Sequence, residues 1–450
     1  MAMAIILIIL VVGSVLFHFM SPWYFTEIAS NWGMIDNTVT ITFWVCGIVF
    51  VLLNLFMAYA IIKYRHRDGH KAKYDPENKK LEWWLTVVTS LGVIAMLAPG
   101  LFVWGQFVSV PEDADVVEVV GQQWQWSFRY PGKDGKLGTV DAHKITIDNP
   151  FGMNPDDPLG KDDVLIDANE FRLPLDRPVK LVIRSKDVLH NFTVPQFRVK
   201  MDLVPGMVPY LWLTPTRTGT FDILCEELCG IGHHAMRGKV VVEEEEAFNT
   251  WLDSQPTYAQ TVAHKHEPDL VAGKALYQTC SACHGANGEG NQALNSPKLS
   301  GQEDWYLTRQ LHYFKSGVRG TADNDIFGKQ MAPMAAILAD DKAVNDVVGY
   351  ITSLSDNPAP HTVQGDIENG KDIYLTCGKC HGLQGEGNWS LRAPRMAGMS
   401  DWYMVTQLKN FRHGARGAHP DDSTGYQMTS MVLSLTEEKV NDVVAYMNTF

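Results

Sequence analysis

Basic residues are in the minority in this chain, with 38 Lys and Arg against 51 Asp and Glu over 450 residues. That balance offers no basic field to a phosphate backbone and excludes nucleic acid as a partner. Residues 1–20 hold no charge at all, and residues 21–37 hold no Lys or Arg. The first segment therefore lacks the basic leader of a signal peptide, and no A-x-A cleavage site follows it, so it reads as a retained helix. Cysteine is scarce, with seven residues: Cys46, Cys225, Cys229, Cys280, Cys283, Cys377 and Cys380. Cys46 sits in an apolar run and reads as a small buried side chain. The other six fall into three close pairs.

The apolar residues crowd into the first 110 positions. Runs at 38–62 and 85–110 are long enough to cross a bilayer, and 1–20 is marginal. Pro99 predicts a kink in the last of them. Residues 63–80 carry seven Lys or Arg, which places that loop in the cytoplasm by the positive-inside rule. The chain beyond residue 111 then lies outside, in the periplasm, where disulfides could form.

The cysteine spacings point to metals instead. "CSACH" and "CGKCH" are both C-x-x-C-H, the spacing that ties two thiols to one haem with the next histidine as iron ligand. The haem 1 residues are Cys280, Cys283 and His284, and those of haem 2 are Cys377, Cys380 and His381. They lie in a repeat: "GKALYQTCSACHGANGEGN" returns 97 residues later as "GKDIYLTCGKCHGLQGEGN". Each copy opens and closes with an amphipathic helical pattern, as in a small all-α class I cytochrome c domain. The sixth iron ligand is a methionine of "MAPM" or "MTSM", and the sequence barely separates Met331 from Met334 or Met428 from Met431. The copies resemble the halves of bacterial di-haem cytochromes c. That resemblance implies the first methionine of each pair, Met331 and Met428.

The third pair lies in "CEELCGIGHHAM". Cys229, His233 and Met236 have the spacing of a blue-copper ligand loop, and His190 supplies the histidine expected from an upstream strand. Cys225 is one thiolate too many for a single copper. Two bridging thiolates make room for a second copper, with Met236 and the backbone carbonyl of Glu227 as weak ligands. Zinc fits the two cysteines and two histidines but gains little from the methionine. His234 is read as exposed. Runs such as "VVEVV", "WQWSFRY" and "VKLVIRS" predict a small antiparallel β-barrel of the cupredoxin type from about 115 to 245.

Taken in order, the apolar hairpin, "GQQWQWSFRYP", "SKDVLHNFTVPQFRVKMDLVPG" and "CEELCGIGHHAM" resemble subunit II of the haem–copper cytochrome c oxidases over roughly 38–245. Two C-terminal haem copies depart from the commoner single one. The resemblance implies a dinuclear CuA centre on His190, Cys225, Glu227, Cys229, His233 and Met236. It also implies a magnesium shared between Glu227 and subunit I, and Trp124 as the residue through which electrons arrive. Glu82, in "LEWWLT", matches a glutamate at the mouth of a proton-uptake path, although Leu85 stands where the family usually has tryptophan.

The expected protein is thus a multi-pass membrane protein of the bacterial inner membrane. Its expected parts are an apolar segment and loop (1–37), a transmembrane helical hairpin (38–110), a CuA domain (111–253), a linker (254–268), a cytochrome c domain (269–355), a second linker (356–366) and a second cytochrome c domain (367–450). Its role would be to pass electrons from a periplasmic cytochrome c or a quinol-oxidising complex to a catalytic subunit I, with subunit III alongside and lipid around it. Oxygen reduction would occur in subunit I, because this chain has no helix bundle bearing several histidines. The rival readings are the electron-accepting subunit of a CuA-type nitric oxide reductase and a membrane-anchored electron carrier.

Overall fold

The structure, a computed structural model, describes residues 1–21, 25–71, 76–147, 149–263 and 267–450. Parts of the basic loop (72–75) and of the first expected linker (264–266) lie outside the described residues. Among the described residues, three helices are long and apolar enough to cross a membrane: α1 (Ala2–Met20), α2 (Gly33–Lys63) and α3 (Lys79–Val108). The two later ones begin upstream of their apolar runs. Asn78 caps α3 by accepting a hydrogen bond from the Leu81 amide at 3.1 Å, so Glu82 falls in its first turn. α3 continues through Pro99.

The periplasmic ends of these helices are fastened to the next domain. Between α1 and α2, Ala29 and Trp32 are buried in the core of the β domain. Trp32 Nε1 donates to the Trp212 carbonyl at 2.9 Å, and Trp212 Nε1 donates to the Gln106 carbonyl of α3 at 3.1 Å. Arg198 reaches Asp36 of α2 at 2.7 Å.

The β domain is a sandwich of two five-stranded sheets. Its strands are β1 (Asp115–Gln122), β2 (Gln125–Tyr130), β3 (Val164–Ile166), β4 (Glu170–Pro174), β5 (Val179–Ser185), β6 (His190–Val194), β7 (Val199–Leu203), β8 (Tyr210–Leu213), β9 (Gly219–Leu224) and β10 (Arg237–Glu243). One sheet has the order β3-β2-β1-β5-β8 and the other β4-β10-β9-β6-β7. Most ladders are antiparallel, as expected. β1 with β5 and β4 with β10 run parallel, because long crossovers bring non-consecutive strands side by side. Alternating inward residues such as Leu181 and Ile183 fill the space between the sheets.

Buried charge crosses one end of the sandwich. Arg129 on β2 pairs with Glu118 on β1 at 2.7 Å and with Asp163 at 2.6 Å, and Arg184 on β5 reaches the other oxygen of Glu118 at 2.7 Å. Glu118, Arg129 and Asp163 are all buried.

Two short helices follow, α4 (Glu245–Asp253) and α5 (Tyr258–Ala263). The stretch expected to be a free tether is therefore partly folded onto the sandwich. Tyr258 is buried, and its amide donates to the Asp163 carbonyl at 2.7 Å. The cause is one aromatic side chain in an otherwise polar stretch, which gains more by burial than the chain loses by being ordered.

The first haem-motif copy contains α6 (Leu270–His284), α7 (Asp304–Ser316), α8 (Ile326–Ala336) and α9 (Asp341–Thr352). The second contains α10 (Ile367–His381), α11 (Asp401–Arg412), α12 (Ser423–Val432) and α13 (Glu437–Met447). Local rules repeat with the sequence. Asp269 and Asp366 cap α6 and α10 by accepting from amides two and three residues on. α6 can cross α9 closely only because residue 273 is glycine: a Cβ there would lie 2.0 Å from the Asp346 carbonyl oxygen.

The second expected linker is pinned as well. Asp356 pairs with Lys298 at 2.6 Å and Arg395 at 2.7 Å, and Asp401 accepts from the Thr362 and Val363 amides. The two copies meet through a pseudo-symmetric cluster. Arg319 donates to Gln310 at 2.5 Å and to Gln407 at 3.3 Å; Arg416 donates to Gln407 at 2.9 Å and to Gln310 at 3.2 Å.

Candidate functional site

The loop from β9 to β10 returns on itself and gathers its sulfur and nitrogen atoms at one end of the sandwich. Cys225 Sγ lies 3.7 Å from Cys229 Sγ, Cys229 Sγ lies 3.5 Å from His233 Nδ1 and 3.8 Å from Met236 Sδ, and Cys225 Sγ lies 3.3 Å from the Glu227 carbonyl oxygen. His190 opens β6 and is fully buried. Its ligand atom lies within 4.8 Å of those of Cys225 and Cys229. All six positions expected around the copper pair are therefore brought together. His234 is exposed, and His233 points inward to Cys229.

Asp187 sets the orientation of His190. Its Oδ1 lies 2.8 Å from His190 Nε2, and its Oδ2 accepts from the Gln123 amide at 2.7 Å. With Nε2 engaged, Nδ1 of His190 is left buried without a hydrogen-bond partner among the described residues. An orphaned buried nitrogen beside two thiols fits a metal. Burial would lower the pKa of His190, but the hydrogen bond to Asp187 and the nearby Cys225 sulfur outweigh it and raise it. The sulfurs are too close to ionise independently. The hydrogen bond from Cys229 draws the Cys225 thiol down to about 3, and the same contact, with burial, pushes Cys229 up. A cation between them would be required to hold both as thiolates.

Trp124 lies over this loop. It is 5% exposed, its Nε1 donates to the Cys229 carbonyl at 3.0 Å, and Gln123 Nε2 donates to the same oxygen at 2.7 Å. The ring packs on Gly232, where a Cβ would lie 2.4 Å from it. Asp187 and Gln123 were not singled out in the sequence. A carboxylate three residues before the ligand histidine was the only signal for Asp187, and a lone carboxylate is weak evidence.

The two C-x-x-C-H motifs end α6 and α10 and line one cavity of about 670 Å³ that runs through both copies. His284 Nδ1 lies 2.7 Å from the Pro297 carbonyl and His381 Nδ1 2.8 Å from the Pro394 carbonyl. Each ring thus donates through Nδ1 and keeps Nε2 for iron. Burial lowers the pKa of both beyond what those carbonyls restore, which keeps them neutral and able to bind metal. The same cavity is lined by Arg309, Arg319 and Arg416, whose buried Nε atoms have no partner among the described residues. The carboxylates of bound haem would supply acceptors, so the residues fit that group. Met331 and Met428 line the cavity; Met331 is half-buried, Met334 is 39% exposed, and Met428 packs on the core of its copy. Glu82 lies apart from all of this, exposed at the opposite end of α3.

Comparison with known proteins agrees with this architecture. The family described as cytochrome c oxidase subunit II, periplasmic domain, matches residues 115–244, and cytochrome c matches 270–355 and again 367–450. The alternative cytochrome c oxidase subunit 2 of Bradyrhizobium diazoefficiens is 60% identical over 259 residues, covering 58% of this chain and 94% of that protein. Cytochrome c oxidase subunit 2 of Cereibacter sphaeroides is 30% identical, covering 47% and 74% respectively. Among solved structures, cytochrome c4 of Pseudomonas stutzeri aligns with 40% of this chain and 98% of its own at 26% identity, with a TM-score of 0.34.

The fold and its haem and copper modules define a membrane-anchored electron-transfer subunit that associates with a haem–copper oxidase core and has periplasmic domains. The chain belongs to the cytochrome c oxidase subunit 2 family.

Proposed function

We propose that this chain delivers electrons to a terminal oxidase of the bacterial inner membrane, from periplasmic donors through two haems c and a dinuclear CuA centre to subunit I. Subunit I, with subunit III alongside, would reduce oxygen to water and translocate protons. The observation that carries the reading is the convergence of Cys225, Cys229, His190, His233, Met236 and the Glu227 carbonyl beneath Trp124. The two metal modules supply one-electron carriers when loaded. The chain's own residues fix ligand geometry, exclude water and hold the carriers on one rigid scaffold, so that no diffusional encounter separates them. The Glu227 side chain is assigned to a magnesium shared with subunit I.

The test is a metal and haem count on the purified complex. Two coppers per chain with a mixed-valence signal, and two haems retained after denaturation, are expected. Cys377→Ala with Cys380→Ala should leave one haem. One zinc in place of copper would overturn the reading.

Glu82 is assigned to proton uptake, on its position at the cytoplasmic start of α3. Glu82→Gln should slow oxygen reduction while electron arrival at copper stays fast. If the side chain only favours the helix N-terminus, worth a few tenths to about 1 kcal/mol, turnover will not change.

A further inference from the structure

The repeat provides its own control. Residues 97 apart occupy matching places, yet one face of the second copy is buried on the β-sandwich and the matching face of the first is open. On the second copy, Cys380 packs against the sandwich core. Gln427 Nε2 donates to the Trp124 carbonyl at 2.6 Å, the Ser390 carbonyl accepts from Gln122 at 2.6 Å, and Arg392 pairs with Asp167. On the first copy the counterparts Cys283, Gln330 and Ala293 are exposed, and Leu294 is 48% exposed.

We propose that the second copy (367–450) is the immediate electron donor to the copper loop, through Trp124, and that the first copy (269–355) receives electrons from the external donor. This ordering rests on the function proposed above. Trp124 is already covered by the chain's own second copy, so an outside protein cannot dock on it. Cys380 is one of the two cysteines that would attach the second haem, and it lies against the sandwich. Its counterpart Cys283 is exposed. Trp124 then links the second haem pocket to a copper ligand through its hydrogen bond to the Cys229 carbonyl. Each transfer would move one electron: the residues of the second copy would hold the haem that reduces copper, and those of the first copy the haem that reduces the second in turn. Between the copies, the cluster of Arg319, Arg416, Gln310 and Gln407 fixes their separation. Gln427 and Arg392 are positioning residues, since they hold the second copy over Trp124.

The experiment is spin relaxation of the mixed-valence copper signal in the full chain within its complex, with one haem removed at a time. Cys280→Ala with Cys283→Ala keeps only the second haem and should retain fast, iron-enhanced relaxation. Cys377→Ala with Cys380→Ala keeps only the first and should slow relaxation severalfold. The reverse pattern overturns the order. Should either variant fail to fold, the wild-type complex still answers through hydroxyl-radical footprinting: Trp124 should be protected and Leu294 modified. Arg392→Glu, which sets a carboxylate against Asp167, should expose Trp124 and slow haem-to-copper transfer severalfold with haem-to-haem exchange unchanged. Ready oxidation of Trp124 in the wild type would also overturn the order. Absence of any mixed-valence copper signal in the wild type would be a different failure, that of the proposed function.

Discussion

On the proposed function, Cys225→Ser should leave at most one of the two coppers per chain while both haems remain attached. The two sulfurs lie 3.7 Å apart, and among the described residues they are the groups placed to bridge two metals. Serine offers a harder oxygen that does not ionise near neutral pH, so one bridge is lost outright. Cys229, His233 and Met236 can still hold one copper in blue-copper fashion. His190 keeps its contact with Asp187 but loses the adjacent thiolate. Substitutions behind a ligand typically cost about 10–100-fold in metal affinity or activity, and removal of a bridging ligand should exceed that. The measurements are metal content per chain, electron paramagnetic resonance and the rate of electron delivery from the haems. Cys229→Ser should be at least as damaging, because that sulfur also faces the histidine and the methionine. Retention of two coppers and the delocalised signal in the Cys225 variant would disprove the bridged arrangement.

The gathering of sulfur and nitrogen atoms between β9 and β10 was readable in the sequence because five of the six positions expected around copper fall within twelve residues, and a short loop constrains their relative placement. The haem motifs were readable for the same reason, reinforced by a repeat that is nearly gapless. His190 could be chosen because it follows a β-rich run and opens another. What could not be read is what depends on domains meeting. Trp124 was matched to the point where electrons arrive, but nothing in "GQQWQWSFRYP" indicates that Gln427, some 300 residues later, lies on its backbone. Asp401 and Asp304 are repeat counterparts with the same local sequence, "DWY". One is buried beneath the second linker and the other is exposed. The polar stretches at 254–268 and 356–366 look like free tethers by composition. They are held by Tyr258 and by Asp356 and Asp401, whose partners are remote in sequence. The parallel strand pairs escaped for a related reason: alternation of apolar residues reports a strand's faces but not the direction of its neighbour.

Arg129→Leu should be the most damaging single change to the sandwich itself. The guanidinium sits between Glu118 and Asp163 with almost no solvent, and it also donates to the Gly138 carbonyl at 2.7 Å. Leucine restores apolar bulk but strands the carboxylates. Glu118 keeps Arg184; Asp163 keeps only neutral donors such as the Gly138 amide. Removing one partner of a buried ion pair costs about 3–5 kcal/mol. The cost should depend on pH. Burial already raises the Asp163 carboxyl to about 6 despite Arg129, above the ordinary value of 3.8. A carboxyl with a raised folded pKa binds its proton more tightly when folded, so its ionisation lowers stability as pH rises from about 4 through about 6. Without Arg129 the folded pKa rises further, and the loss extends to higher pH. Glu118 acts in the opposite sense in the wild type. Burial raises its pKa, but Arg184 and Arg129 together bring it below the usual value, so its contribution is lost as pH falls through that folded pKa. Thermal unfolding of the sandwich should therefore show Arg129→Leu nearest to wild type around pH 5 and furthest from it around pH 8. Arg129→Leu with Asp163→Asn should recover much of the difference at pH 8, because no unpaired charge remains beside β2. A gap that does not change between pH 5 and pH 8, or that the second substitution fails to narrow, would mean that Arg129 acts through packing and its Gly138 hydrogen bond and not through its charge.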